Sequence, residues 1–272
     1  MCMALQLASL NSGSNGNCYY VGTEKEAVLI DAGISYRETG RRLKRLGLSM
    51  EKVKAIFITH EHNDHILGLH KLIKKHNIPA YISYRTRQSV PLEWSLPVSH
   101  SFNTYQPVHI GDLMVTPLPK YHDAADPHSF IITHQNTTVG IFTDMGRVCK
   151  DLISHFRQCH AAILESNYDE EMLENGGYPT HLKNRIRGGS GHISNWQALQ
   201  LFMEHRPEFM THLLLGHLSK HNNKPELVEA LFSRVAGNTT IAIASRYRES
   251  EVFHINGGPA KPRMVAEQLQ LF

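Results

Sequence analysis

The chain has 272 residues, 41% of them hydrophobic, and a formal net charge of +3 with its 19 histidines counted as neutral. That length can bury a large core, while so small a charge does not by itself mark a nucleic-acid binder. No apolar run approaches the roughly 18 residues of a bilayer crossing, which excludes a membrane span.

The start lacks a basic segment followed by a long apolar one, so export is not expected. The four cysteines, Cys2, Cys18, Cys149 and Cys159, show no CxxC spacing. They read as reduced thiols of a cytoplasmic protein. In chain order, β-type runs occupy residues 4–9, 18–22 and 27–31, with the polar loop 11–17 between the first two. A basic helix is predicted over 36–46, stopped by Gly47. Its Arg41-Arg42-Leu43-Lys44-Arg45 run reads as a solvated face. The apolar run 54–59 predicts a strand, and 66–75 a helix. Short strands and turns fill 80–143, including 129–133 and 138–143. Residues 183–194 read as a basic, glycine-rich loop. Ser194 caps a helix to about residue 204, 211–216 is a strand, and 225–235 is a helix with Pro225 in its first turn. Strands at 239–244 and 251–255 follow. Without a linker or repeat, these elements predict one α/β domain over 1–256 and a tail over 257–272. Two β-rich halves, each with helices, predict a four-layer αββα sandwich.

The chemistry is concentrated in His60-Glu61-His62-Asn63-Asp64-His65, where four metal-ligand side chains follow directly on an apolar strand. A strand ending at Thr59 feeds a turn that aims His60 and His62 at one point and Asp64 and His65 at another. Imidazole with carboxylate suits Zn²⁺, Mn²⁺ or Fe²⁺, and two such ions roughly 3.5–4 Å apart form a hydrolytic pair. The alternative of a solvated histidine tract fits poorly with a buried-type strand before it and a helix after it. Three further candidates stand where apolar runs end: His122 after 115–121, Asp144 after 138–143, and His217 after 213–216. A lone histidine after a strand is more often a turn or core residue, so these three gain weight only together.

The order HxHxDH, then a distant His, Asp and His, with Asp31 in Leu29-Ile30-Asp31-Ala32-Gly33, resembles the metallo-β-lactamase superfamily. The resemblance implies that His60, His62 and His122 bind one ion, that Asp64, His65 and His217 bind the second, and that Asp144 bridges them. Asp31 would orient the ligand loop from behind. Gly191-His192-Ile193-Ser194 is similar to a motif of the phosphodiesterase branches in which the histidine lies beside the metals and helps to protonate the leaving oxygen, a substrate-binding role being the alternative. Ser12-Gly13-Ser14-Asn15-Gly16-Asn17, His122-Asp123-Ala124-Ala125-Asp126-Pro127, Glu165-Ser166-Asn167-Tyr168-Asp169 and Gly216-His217-Leu218-Ser219-Lys220 narrow the resemblance to the YycJ/WalJ-like single-domain nucleases of this fold. Tyr168, where His is expected, and Arg187-Gly188-Gly189-Ser190 depart from that pattern on the substrate side. Only 47 residues lie between Asp144 and His192, too few for a β-CASP cap, and only 21 between His122 and Asp144, too few for a tRNA-binding arm.

The resemblance implies a 5′→3′ DNA exonuclease with a role in mismatch repair, acting through a hydroxide held by two divalent ions. DNA is favoured over RNA as partner. Asp64, Asp144 and His192 are the catalytic candidates. Lys183, Arg185 and Arg187, with the glycine-rich turns, read as a phosphate-holding loop, although a solvated loop before a capped helix is the plainer alternative. Ser14 and Asn15 are candidates to anchor the nucleotide end. Other readings on the same fold are a hydrolase of a small or cyclic phosphodiester, a thioesterase or lactonase, and a non-catalytic binding module. His128, close after His122, is the further histidine of interest. The last residues, Gln268-Leu269-Gln270-Leu271-Phe272, resemble peptides that bacterial proteins insert into the sliding clamp, or are an ordinary terminal segment.

Overall fold

Successive residues of a strand point to opposite faces, and here the two faces meet different apolar partners. In β1 (Leu5–Asn11), Leu5 and Leu7 join one cluster and Ala8 and Leu10 another; in β4 (Val53–Phe57), Ala55 and Phe57 separate from Ile56 in the same way. This computed structural model describes residues 4–91, 94, 96 and 98–257. The possible clamp peptide, 268–272, lies outside the described residues, as does most of the predicted tail.

Among the described residues, one seven-stranded sheet contains β1, β2 (Cys18–Gly22), β3 (Ala27–Ile30), β4, β5 (Ala80–Tyr81), β6 (Ser99–His100) and β14 (Phe253–Ile255), in the order β14-β1-β2-β3-β4-β5-β6. The other contains β7 (Val108–Ile110), β8 (Leu113–Pro119), β9 (His128–His134), β10 (Thr137–Phe142), β11 (Ala161–Glu165), β12 (His212–Gly216) and β13 (Thr240–Ile243), in the order β13-β12-β11-β10-β9-β8-β7. Each sheet is mixed: β3 to β6 run parallel, as do β10 to β13, while the remaining pairs are antiparallel.

Three apolar cores give the four layers. The central one packs Leu7, Tyr19, Val28 and Phe57 of the first sheet against Val115, Phe130, Val139 and Ile163 of the second. Outside the first sheet, Leu29 and Ile56 meet Leu43 of α1 (Tyr36–Arg45), Ile66 of α2 (Asn63–Ile66) and Leu72 of α3 (Leu69–His76). Outside the second, Leu164 and Leu213 meet Phe156 of α5 (Lys150–Phe156), Phe202 of α8 (Asn195–His205) and Phe232 of α9 (Pro225–Ser233). Two smaller outer helices are α4 (Tyr84–Ser89) and α6 (Glu170–Asn175). The αββα expectation therefore holds. No described helix is long and apolar enough to cross a membrane.

Three local readings change. The predicted helix over 66–75 is split into α2 and α3 at Gly68, whose N–H donates to the Ala32 carbonyl at 2.8 Å. The basic stretch read as a loop over 183–194 is helical through Arg187, the last residue of α7 (Thr180–Arg187). Arg42, read as part of a solvated face, is buried; it donates to the Leu10 carbonyl at 2.6 Å, to Asn11 Oδ1 at 2.7 Å and to the Tyr247 carbonyl at 3.1 Å. α1 is thereby tied to the end of β1 and to the segment before β14.

Candidate metal centre and catalytic site

The site lies where strands of both sheets end. After β4, the chain turns through His60 and His62 into α2, which carries Asp64 and His65. This turn is held by main-chain bonds to two other loops: Asn17 N–H to the Asp64 carbonyl at 2.7 Å, and Ala32 N–H to the His65 carbonyl at 2.8 Å. The loops approach so closely that a Cβ on Gly33 would collide with the Asp64 carbonyl.

Asp31, at φ 63° just beyond β3, accepts from Thr59 N–H at 2.8 Å, from Thr59 Oγ1 at 2.9 Å and from His65 Nδ1 at 2.7 Å. His60 Nδ1 lies 2.9 Å from Thr59 Oγ1, whose own proton goes to Asp31, so His60 donates in turn. One buried carboxylate thus sets two imidazoles with Nδ1 outward and the Nε2 lone pair inward, the usual support for a metal-ligand histidine.

The second sheet contributes singly. Asp144 and His217 follow β10 and β12, at φ 54° and 55°. A non-glycine residue in this left-handed region is uncommon and is retained where surrounding structure enforces it, often at functional sites. His122 follows β8, and its Nδ1 donates to the Gly191 carbonyl at 3.1 Å. The Asp144 carboxylate faces three Nε2 atoms: His65 at 3.3 Å, His217 at 3.4 Å and His122 at 3.9 Å. His65 Nε2 and His217 Nε2 also lie 3.5 and 3.7 Å from Asp64 Oδ2. His62 Nδ1 approaches His60 Nε2 at 3.0 Å. The side chains fall into overlapping metal-competent groups: His60, His62 and His122; Asp64, His65 and His217; His60, His65 and Asp144; and Asp144, Glu165, His192 and His217.

These residues fit divalent cations. His122 Nε2, His217 Nε2 and Asp144 Oδ2 are buried without a hydrogen-bond partner, a costly condition that a bound cation relieves. Burial pushes His60 well down and His122 to about 4, so both are neutral ligands at pH 7. Burial also opposes charge on His65 and His217, but the carboxylates of Asp144 and Asp64 outweigh it; His65 is held well up and His217 at about 10. The cluster of carboxylates calls for positive charge at its centre.

His192 stands between the two groups, with ring centroids 5.3 Å from His122 and 5.2 Å from His217. Its Nδ1 donates to Glu165 Oε1 at 2.8 Å, and His217 Nδ1 donates to the same oxygen at 2.9 Å. Glu165 Oε2 accepts from Met145 N–H at 2.7 Å, beside Asp144. Burial would raise the Glu165 pKa, but His192 and His217 outweigh it and bring it down to about 2. In the sequence Glu165 stands in the Glu165-Ser166-Asn167-Tyr168-Asp169 motif and at the end of the apolar run of β11, without a role of its own. Asn17, in the sequence a member of the Ser12-Gly13-Ser14-Asn15-Gly16-Asn17 motif without a role of its own, places its Nδ2 3.2 Å from Asp64 Oδ2.

The proposed phosphate contacts distribute unevenly. Arg185 is exposed and paired with Asp123 at 2.6 Å, next to His122. Lys183 donates to the Glu174 carbonyl and Arg187 pairs with the Glu174 carboxylate at 2.8 Å, so both are engaged on α6. Ser14 and Asn15 are exposed, and Asn15 donates to the Arg246 carbonyl at 2.8 Å. Tyr168 is buried and bridges to Ser194. His128 lies outside the metal-competent groups; it is buried, with Nδ1 donating to the Asp126 carbonyl at 2.9 Å and Nε2 at 2.9 Å from Thr104 Oγ1.

Residues 12–182 match the family model of the metallo-beta-lactamase superfamily. The chain is 34% identical over 236 residues to Exodeoxyribonuclease YycJ of Bacillus anthracis, covering 86% of this chain and 89% of that one. It is 31% identical over 223 residues to Exodeoxyribonuclease WalJ of Streptococcus pneumoniae, covering 80% and 83%. The metallo-beta-lactamase fold protein YhfI of Bacillus subtilis superimposes with a TM-score of 0.68 at 17% identity, covering 91% of this chain and 99% of that one. The chain belongs to the metallo-beta-lactamase superfamily and is a metal-dependent hydrolase.

Proposed function

We propose that this protein is a metal-dependent exodeoxyribonuclease that hydrolyses DNA phosphodiester bonds from the 5′ end. The observation that carries the reading is His192: its Nδ1 is fixed by Glu165, its ring lies between the two ligand groups, and its side chain is 21% exposed. The likeness to two exodeoxyribonucleases over most of the chain supports DNA as the substrate.

His60, His62 and His122 would hold one divalent ion and Asp64, His65 and His217 a second, with Asp144 shared; Zn²⁺ and Mn²⁺ suit this donor set, as does Fe²⁺. Divalent ions there supply Lewis acidity toward a phosphoryl oxygen and a water acidified to near neutrality. The protein does the rest. Glu165 holds the Nδ1 proton of His192, so a ring that carries a second proton at Nε2 would hand that one to the departing sugar oxygen and be left as the neutral Nδ1–H imidazole. Asp31 and Glu165 prevent the imidazoles from rotating, so the site is organised before substrate arrives.

The resemblance extends this proposal to a cytoplasmic role in DNA mismatch repair, with residues 268–272 as a sliding-clamp peptide. Deleting that peptide is expected to abolish clamp binding while short oligonucleotides are still cut; retained clamp binding would refute this part. The enzymatic test is digestion of end-labelled single- and double-stranded DNA and RNA with Mn²⁺ or Zn²⁺. Stepwise loss of 5′ nucleotides from DNA, lost in His192→Ala, is expected. Hydrolysis of thioesters or small phosphodiesters with every polymer left intact would overturn the reading.

A further inference from the structure

A cavity of about 710 Å³ opens beside His217, lined in part by Ser12, Ser219, Lys220, Arg246, Tyr247 and Arg248. Its connection to the site is direct: Ser12 Oγ accepts from His217 N–H at 2.7 Å, and Ser12 N–H donates to the Ser245 carbonyl at 3.1 Å. We propose that Arg246, with the neighbouring Ser14 and Asn15 loop and Tyr247, forms a subsite that grips the backbone and an unpaired base of a single DNA strand next to the reacting phosphate. The proposal deepens the nuclease reading and rests on it.

Arg246 Nη1 is buried and has no hydrogen-bond partner. Burying a guanidinium donor without an acceptor is costly, and a phosphate oxygen is the acceptor that its planar fork suits. Among the described residues, Arg246, Arg248 and Lys220 form no ion pair, whereas Arg45 and Arg42 nearby are paired with Glu249 and Glu38. Glu226, Glu229, Glu249 and Glu251 line the same cavity, so it is not uniformly basic. The anion contact is assigned to Arg246, whose neighbour Ser245 is bonded to Ser12.

Arg246 packs over Gly13, where a Cβ would lie 3.3 Å from the Arg246 Cβ and 3.7 Å from its Cζ. Asn15 Nδ2 donates to the Arg246 carbonyl, and buried Arg42 donates to the Tyr247 carbonyl. The turn is therefore fixed before any ligand arrives, which lowers the entropic cost of binding. Tyr247 is 71% exposed and presents an aromatic ring on which a base can stack, the usual partner of a cationic groove in single-strand binding.

The test uses full-length protein and a fluorescent single-stranded DNA oligonucleotide with phosphorothioate linkages, followed by anisotropy over a range of salt. Arg246→Met keeps the aliphatic stem over Gly13. It is expected to weaken binding about tenfold and to reduce the slope of log affinity against log salt by about 1, while Arg246→Lys keeps most of the slope. Tyr247→Ala, at an exposed position that the fold does not need, is expected to weaken binding with the salt slope unaltered. For cleavage, the ratio of kcat/KM on a DNA oligonucleotide to that on bis-p-nitrophenyl phosphate should fall about tenfold in Arg246→Met, through KM. Wild-type-like affinity and slope in both Arg246→Met and Tyr247→Ala would overturn the subsite, even if the wild-type protein proves to be a nuclease. A wild-type protein that binds the strand through Arg246 but cuts no DNA would keep the subsite and refute the nuclease reading.

Discussion

The two halves of the sandwich supply the centre in different ways. The first delivers His60, His62, Asp64 and His65 from one turn, braced from behind by Asp31. The second delivers His122, Asp144, His192 and His217 from separate places, and Glu165 links three of these places through His192, His217 and the N–H beside Asp144. A compact motif needs one brace behind its turn, and Asp31 supplies it from 28 residues before Thr59 and 34 before His65. A dispersed one needs a carboxylate on a central strand that can reach several loops at once, and β11 lies between β10 and β12.

The most severe way to break this arrangement is to remove the residue that faces both halves. Asp144→Ala should abolish hydrolysis and divalent-ion binding together, measured by turnover and by metal content after gel filtration; retained stoichiometric metal would contradict the shared role. His192→Ala should lower kcat by about 10²–10⁴ with metal content kept, because it removes the proton donor and none of the assigned ligands. A variant that loses metal would show His192 to be a ligand instead.

The braces come next. Asp31→Ala and Glu165→Ala should each weaken metal affinity or activity about 10–100-fold. The comparison becomes sharper in the pattern of loss: Glu165→Ala should depress kcat beyond its effect on metal affinity, since it also frees His192, whereas Asp31→Ala should act through metal alone. Equal patterns would mean that Glu165 is no more than a second Asp31. The smallest effect is expected at Arg42→Met, which strips donors from three acceptors and should cost about 1–3 kcal/mol in denaturant unfolding, with metal binding unaffected.

The same contrast explains what was legible in the sequence. Four ligand side chains within six residues after an apolar strand announce themselves, and so do apolar strands such as β2 and β10, whose predicted bounds lie within a residue of those observed. The role of Glu165, a member of a recognisable motif, is not legible, because a carboxylate at a strand end acquires it only from His192 and His217, 27 and 52 residues away. The sequence of α7 reads as a loop because three cations beside Gly188 and Gly189 mimic a turn; its helical register is supported by the pairing of Lys183 and Arg187 with Glu174, a tertiary effect. Arg42 looked solvated for a similar reason. Its acceptors come from Leu10, Asn11 and Tyr247, distant in the chain. β5 and β6, at two residues each, carry too little pattern to be seen.

The most direct test of the central claim, that both halves close on one shared metal centre, is native mass spectrometry of the Mn²⁺- or Zn²⁺-reconstituted chain beside Asp144→Ala. Two ions bound per wild-type chain, with both weakened by the single substitution, is the predicted result. A wild-type chain that binds no ion, or an Asp144→Ala chain that holds two as tightly as the wild type, would contradict it.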